Sequence, residues 1–208
     1  RHFPMRSGDA GWADLHVTMV PAGGLRRWIG PQVRFIADGT MPFEPFPADH
    51  ALPLLEWGAN WLIARRMNNV LLLHAGVLER NGLALVLPAL SGSGKSTLTA
   101  ALSLRGWRLL SDEFGAYDPA AGGFRAVLKP VALNNQSIEI IRRFEPGAEL
   151  GPVFPKTRKG AVAHLAPSAA AVSRIHAVAR PGAIVMPRWR AGSATRLEPA
   201  PRKVASKV

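Results

Sequence analysis

The chain has 208 residues, 48% apolar and 19% charged, which suits a globular protein and excludes a wholly disordered one. It has no Cys, which excludes a disulfide framework and thiolate zinc sites, and no apolar run of the roughly eighteen residues that would cross a membrane. The net charge of +12, from 26 Lys and Arg against 14 Asp and Glu, favours phosphates or acidic partners. The basic residues are scattered and lack aromatic interleaving, so nucleic acid is not an expected partner. Residues 1–9 contain no apolar run and do not read as a secretory signal, and the expected location is the cytoplasm. The chain starts without Met and stops abruptly in PRKVASKV, which gives an expectation of truncated ends.

In chain order, 14–20 (DLHVTMV) and 32–37 (QVRFIA) alternate as strands, with PAGG as turn chemistry between them. PFEPFPADH reads as a Pro-rich loop ending in a helix start near Pro47 and Asp49. From Leu52 to Met67, the residues Leu54, Leu55, Trp57, Trp61, Leu62 and Ile63 recur at helical spacing, and the tryptophans read as a core-facing stripe. Val70 to Arg80 is a strand, Asn81-Gly82 a two-residue hairpin turn, and Leu83 to Leu87 a fully apolar returning strand expected at the centre of a sheet. A helix over Lys95 to Leu104 is closed by Gly106. The strand Arg108 to Ser111 follows, ending in Asp112-Glu113. Then come a hairpin turn in AYDPAAGGF, a strand over Phe124 to Leu133, and a short helix over Asn134 to Phe144. Beyond EPGAELGP, residues 156–159 form a basic loop, followed by short strands near 161–165, 183–186 and 195–197. Strands, few helices and more strands predict an α/β fold with a mixed sheet, in one domain over 1–208 with residues 1–70 packed on the rest.

Chemistry concentrates in Ala89 to Ser96, ALSGSGKS, which approximates G-x-x-x-x-G-K-[ST] between an apolar strand and a helix. Gly92 and Gly94 let the backbone of Ser91 to Thr97 bend so that successive N–H groups face phosphate oxygens. Lys95 supplies a compact charge to the β- and γ-phosphates, Ser96 a hydroxyl for Mg²⁺, and the helix N-terminus its dipole. Ala89 stands where the motif has Gly. Asp112 and Glu113 arrive at the sheet edge where phosphates would sit, and only a turn at the strand end lets both face one site.

HAGVLERNG, ALSGSGKST and LSLRGWRLLSDE, in that order and at close spacing, resemble the HPr serine kinase/phosphorylase family. The stretches LRRWIGPQVRFIADG, LLEWGANW, VFPKTRKGAVAHL and IVMPRWRAGSATRLEP are similar to its branch of HPr-kinase-related kinase A. The resemblance implies a P-loop kinase-like domain with a mixed sheet and few helices, like the HPr kinase C-terminal domain. It implies His74 as the active-site His, Lys95 and Ser96 as phosphate and Mg²⁺ ligands, and Asp112 as the catalytic acid. Glu113 stands where that family has a second Asp, and His74-Ala75-Gly76 departs from its His-Gly-Val.

The expected reaction is transfer of the γ-phosphoryl of ATP to a Ser hydroxyl of a peptide or small protein, an acidic one being favoured by charge. Ser96 and Glu113 would hold Mg²⁺ and Asp112 would accept the hydroxyl proton, with His74 tuning it; Asp112 and Glu113 could exchange roles. Lys156, Arg158 and Lys159 are candidates to neutralise the moving phosphoryl, and Lys129 and Asn135 could approach the same edge. Two alternatives stay open: a kinase acting on a small molecule, and a nucleotide-gated binder without turnover. A homo-oligomer is compatible with the sequence.

Overall fold

A computed structural model describes residues 15–157 and 159–200 of the chain. Residues 1–9, Asp14 at the start of the first expected strand, and Arg158 lie outside the described residues. The described part is α/β, with a mixed central sheet and four α-helices. None of these helices is long and apolar enough to cross a membrane.

The N-terminal layer is an antiparallel sheet of β1 (Val17–Pro21), β2 (Gln32–Ala37) and β3 (Phe46–Pro47), covered by α1 (Ala51–Arg66). Strict alternation along β2 buries Val33, Phe35 and Ala37 against Leu54 and Leu62 of α1. Gly58 makes this contact close: a Cβ there would stand 2.2 Å from the Phe35 ring. The helix stripe is the expected one for Leu54 and Leu62, while Trp57 and Trp61 are half-buried and meet Phe46 and Phe43 edge-on.

The central sheet has six strands: β4 (Leu71–Arg80), β5 (Leu83–Pro88), β6 (Arg108–Ser111), β7 (Phe114–Asp118), β8 (Gly123–Arg125) and β12 (Arg180–Ile184). β4 and β5 form the expected hairpin, with Asn81 and Gly82 at φ 53° and 79°, as a two-residue turn with both central residues left-handed requires. β5 lies between β4 and β12, which explains its unbroken apolar run. The pairing of β5 with β12 is parallel and the other pairings are antiparallel, so β5, β6, β7 and β12 run in one direction. α2 (Lys95–Leu104) connects β5 to β6. It closes on Gly106, where the Trp107 and Gly106 amides donate to the Leu102 and Ser103 carbonyls.

A third sheet joins β9 (Val131–Asn134), β11 (Gly160–Leu165) and β10 (Phe154–Thr157), with α3 (Gln136–Phe144) beside it and the short α4 (Ala169–Ser173) leading to β12. Its core of Val131, Leu133, Ile138, Ile141, Ala163 and Leu165 meets Ala100 of α2 and Leu109 of β6. On the central sheet, Ala75, Val77, Ala84, Val86 and Leu110 cluster with Phe124 and Ala179.

Several elements differ from the sequence expectation. The single strand over 124–133 is two strands in two sheets, because Pro130 has no N–H for a ladder and Lys129 turns inward. β7 was not expected: its second half fell within the turn read in AYDPAAGGF, and Gly115 and Asp118 weakened the strand signal of Phe114 and Tyr117. Residues 195–197 form no strand, and Leu197 is exposed. The last strand begins at Arg180 rather than 183, as an exposed edge that tolerates Pro181.

Glu56 of α1 joins the N-terminal layer to the rest. Buried, it meets Lys129 Nζ at 3.1 Å and His164 Nε2, on β11, at 2.9 Å. Burial works to raise its proton affinity, but the His164 bond and the Lys129 charge outweigh that and hold the carboxyl below its usual value. Removing one partner strands buried charge, so Glu56→Ala is expected to lower unfolding free energy by about 3–5 kcal/mol at neutral pH. The Glu56 contribution is fully present above the unfolded carboxylate's pKa of about 4.3 and is lost as pH falls through the lower folded value. Urea unfolding of wild type and variant across pH 3–7 checks both statements; a constant difference over that range would remove Glu56 as the titrating group.

Candidate functional site

The carboxyl ends of β5, β6 and β12 meet at one edge of the central sheet, and the candidate residues gather there. After Pro88 the chain turns through 91–94, with Gly92 at φ 83° and Gly94 at φ 86°. Both angles are left-handed, which suits glycine. The Ser93 amide and hydroxyl both donate to the Leu90 carbonyl, fixing the turn. The first intrahelical bond of α2 runs from the Leu98 amide to the Gly94 carbonyl, and no side chain caps the helix. The amides of Lys95, Ser96 and Thr97 therefore precede the helical ladder at the positive end of its dipole, an arrangement suited to an anion. The Thr97 hydroxyl is already committed to Ser137 Oγ of α3 at 2.9 Å, leaving its amide as the group for a ligand.

The carboxylates reach the same edge through a bend in the sheet. The lower half of β4, Leu71 to His74, pairs with β7, while Val77 to Glu79 pair with β6 on the same side. Between β6 and β7 the chain bends at Asp112 and Glu113 without losing register, Val77 facing Ser111 and His74 facing Phe114, and the Ala75 amide still donates to the Glu113 carbonyl at 3.2 Å. The Ser111 hydroxyl, fully buried, accepts from the Glu113 and Phe114 amides at 3.3 and 3.0 Å and so holds the bend. This bend stands where the sequence called for a turn at the end of β6. Gly76 keeps α2 close to β4, since a Cβ there would stand 2.4 Å from Thr99 Oγ1.

Lys95 Nζ donates to the Asp112 backbone carbonyl and lies 4.0 Å from its Oδ1. Asp112 is 1% exposed, and its Oδ1 has no hydrogen-bond partner. Burial pushes the Asp112 carboxyl above its ordinary value; the Lys95 and Lys129 charges oppose this, neighbouring Glu113 adds to it, and the Ser96 side chain lowers it. His74 Nδ1 lies 3.9 Å from Glu113 Oε1, at the exposed mouth. Lys95, Ser96, Asp112, Glu113 and His74 are thus brought together.

The basic candidates fare differently. Arg158 and the side chain of Lys156 lie outside the described residues. Lys159 is exposed and borders a groove of about 460 Å³ between the N-terminal layer and α1, lined by Phe43, Phe46, Trp57 and Trp61. Asn135 serves the fold: its amide Nδ2 donates to the Lys159 carbonyl and its Oδ1 accepts from the Ala161 amide. Lys129 does approach the edge, through its charge on Asp112, while anchored to Glu56. Its signal in the sequence was only a lysine beside Pro130 in an apolar run.

The donor set suits a Mg²⁺ carried by a nucleotide. The unpartnered Asp112 oxygen, Glu113 and the Ser96 hydroxyl supply one or two carboxylates and a hydroxyl, and such an ion takes its remaining ligands from phosphates and water. Among the described residues, no group of three or more His, Asp or Glu makes a self-sufficient metal cage. Comparison of the chain with protein-family models, curated proteins and solved structures yields no match, so the functional reading rests on the chain's own residues.

Proposed function

We propose that the protein is an ATP-dependent kinase that transfers the γ-phosphoryl group of ATP to a Ser hydroxyl of a peptide or small protein. One observation carries the reading. A buried carboxylate of raised proton affinity, Asp112, with an unpartnered oxygen, lies beside a lysine at the uncapped N-terminus of a helix behind a glycine turn. The order of the motifs that resemble the HPr kinase family, carried in part by the same residues, agrees with it.

In this reading the amides of the 91–97 segment and Lys95 hold the β- and γ-phosphates. Lys95 exchanges its contact with the Asp112 carbonyl for the phosphates when ATP enters. Asp112 accepts the proton from the attacking hydroxyl, which its elevated proton affinity favours. Ser96 and Glu113 would hold Mg²⁺, and His74 orients Glu113 from the mouth of the site. Mg²⁺, when bound, supplies neutralising charge across the phosphate oxygens.

Lys95→Ala removes the positive charge that faces the phosphates and is expected to weaken ATP binding and abolish turnover; undiminished ATP affinity by calorimetric titration, with undiminished activity, in the folded variant rules out the phosphate loop. Asp112→Asn is expected to keep ATP bound while lowering transfer by ~10²–10⁴-fold. The same change should raise stability near neutral pH. The folded pKa of Asp112 is raised, so stability falls as pH rises from the unfolded value to the folded one, and a neutral side chain escapes that loss. If Glu113→Gln harms transfer more and Asp112→Asn mainly weakens Mg²⁺ dependence, the two roles are exchanged.

The acceptor is tested by incubating the protein with [γ-³²P]ATP, Mg²⁺ and peptides and proteins encoded beside it, followed by phosphosite mapping. Phosphoserine formation that weakens with added salt is expected, because a basic surface attracts an acidic partner. Stoichiometric phosphate on a metabolite instead would replace the protein acceptor with a small molecule, and ATP binding without any transfer would leave a nucleotide-gated binder.

A further inference from the structure

The segment after β12 reaches the glycine turn from the side opposite the carboxylates. Pairing with β5 continues past the end of β12, where the Val185 amide donates to the Val86 carbonyl at 2.9 Å. Four residues on, the Trp189 amide donates to the Ser93 carbonyl at 3.2 Å. A Cβ placed on Gly94 would stand 3.4 Å from the Trp189 Cβ, so the tryptophan is seated directly against the turn. The residue is nevertheless 64% exposed. The residue is held by its backbone while its ring is left to solvent, flanked by the exposed Arg188 and Arg190.

β5 and β12 are the parallel pair of this sheet, and ligands of open α/β sheets settle outside the carboxyl ends of such strands. The glycine turn leaves one of those ends and Trp189 the other. An anion at the α2 N-terminus would project the remainder of its molecule along this edge, where it meets one aromatic face and two positive charges. We propose that Trp189 is the platform on which the base of a bound nucleoside triphosphate stacks, a subsite that rests on the phosphate-loop reading above. Stacking uses the face of the base and not its hydrogen-bonding edge, so ATP and GTP both fit the platform.

The test is calorimetric titration of the full chain with ATP, GTP and inorganic tripolyphosphate, each with Mg²⁺, in wild type, Trp189→Ala and Trp189→Phe. Trp189→Ala is expected to weaken ATP and GTP about tenfold or more while changing tripolyphosphate affinity by less than about twofold. Trp189→Phe should recover most of the loss and abolish any ATP-induced quenching of indole fluorescence that comes from this residue. Unchanged ATP affinity in Trp189→Ala, or tripolyphosphate weakened as much as ATP, overturns the platform. If wild type binds tripolyphosphate as tightly as ATP, only the base subsite is lost. If it binds neither, the phosphate loop falls too.

Discussion

Everything at the candidate site depends on the way β4 shares one of its edges. A ten-residue strand is longer than either β6 or β7, so both can pair with it in succession along the same side. The two lie end to end in one register, with a bend between them. That bend is Asp112-Glu113, where the Glu113 carbonyl keeps its bond from the Ala75 amide while the Ser111 hydroxyl accepts from the Glu113 and Phe114 amides. The opposite edge of β4 carries β5 and hence the glycine turn. The ladders on the two edges of β4 therefore place the glycine turn and the carboxylate pair relative to one another.

The sheet fixes this frame at its far end as well. Glu79 and Arg108 face each other across β4 and β6, buried, at 2.5 Å, and Arg108 also donates to the Arg174 and Ala177 carbonyls. Each of the three guanidinium nitrogens thus donates a hydrogen bond, which makes burial of this pair tolerable where an isolated charge would not be. Asp112 stands in contrast, with one buried oxygen unpartnered. The fold thus satisfies the buried Glu79 fully and leaves a buried oxygen of Asp112 without a hydrogen bond.

Much of this was legible in the sequence because the signals were local. Asn81-Gly82 specifies its turn by backbone sterics, Gly106 its helix end, and the run over 83–87 its central strand. The glycine turn and the carboxylate pair were equally plain, since each is a short segment with a defined neighbour. What escaped was set by partners far away in the chain. Lys129 and Glu56 are 73 residues apart, and neither carries a mark of burial by itself. The split of residues 124–133 between two sheets follows from that buried lysine and Pro130, whereas an apolar run suggested one strand. Trp189 lies 96 residues beyond Ser93, and only the parallel pairing of β12 with β5 brings them together. Trp57 and Trp61 were placed on the right helix, but their half-burial reflects a groove that periodicity does not encode.

The sharing of Lys129 ties two distant events into one thermodynamic cycle. Its charge acts on Asp112 while its ammonium is bonded to Glu56 of α1. Withdrawal of α1 would leave that positive charge uncompensated beside Asp112 and make the acid easier to ionise. By reciprocity, a proton on Asp112 holds α1 in place, and its removal loosens the N-terminal layer. The seating of α1 and the protonation of Asp112 are thus linked through the charge of one lysine.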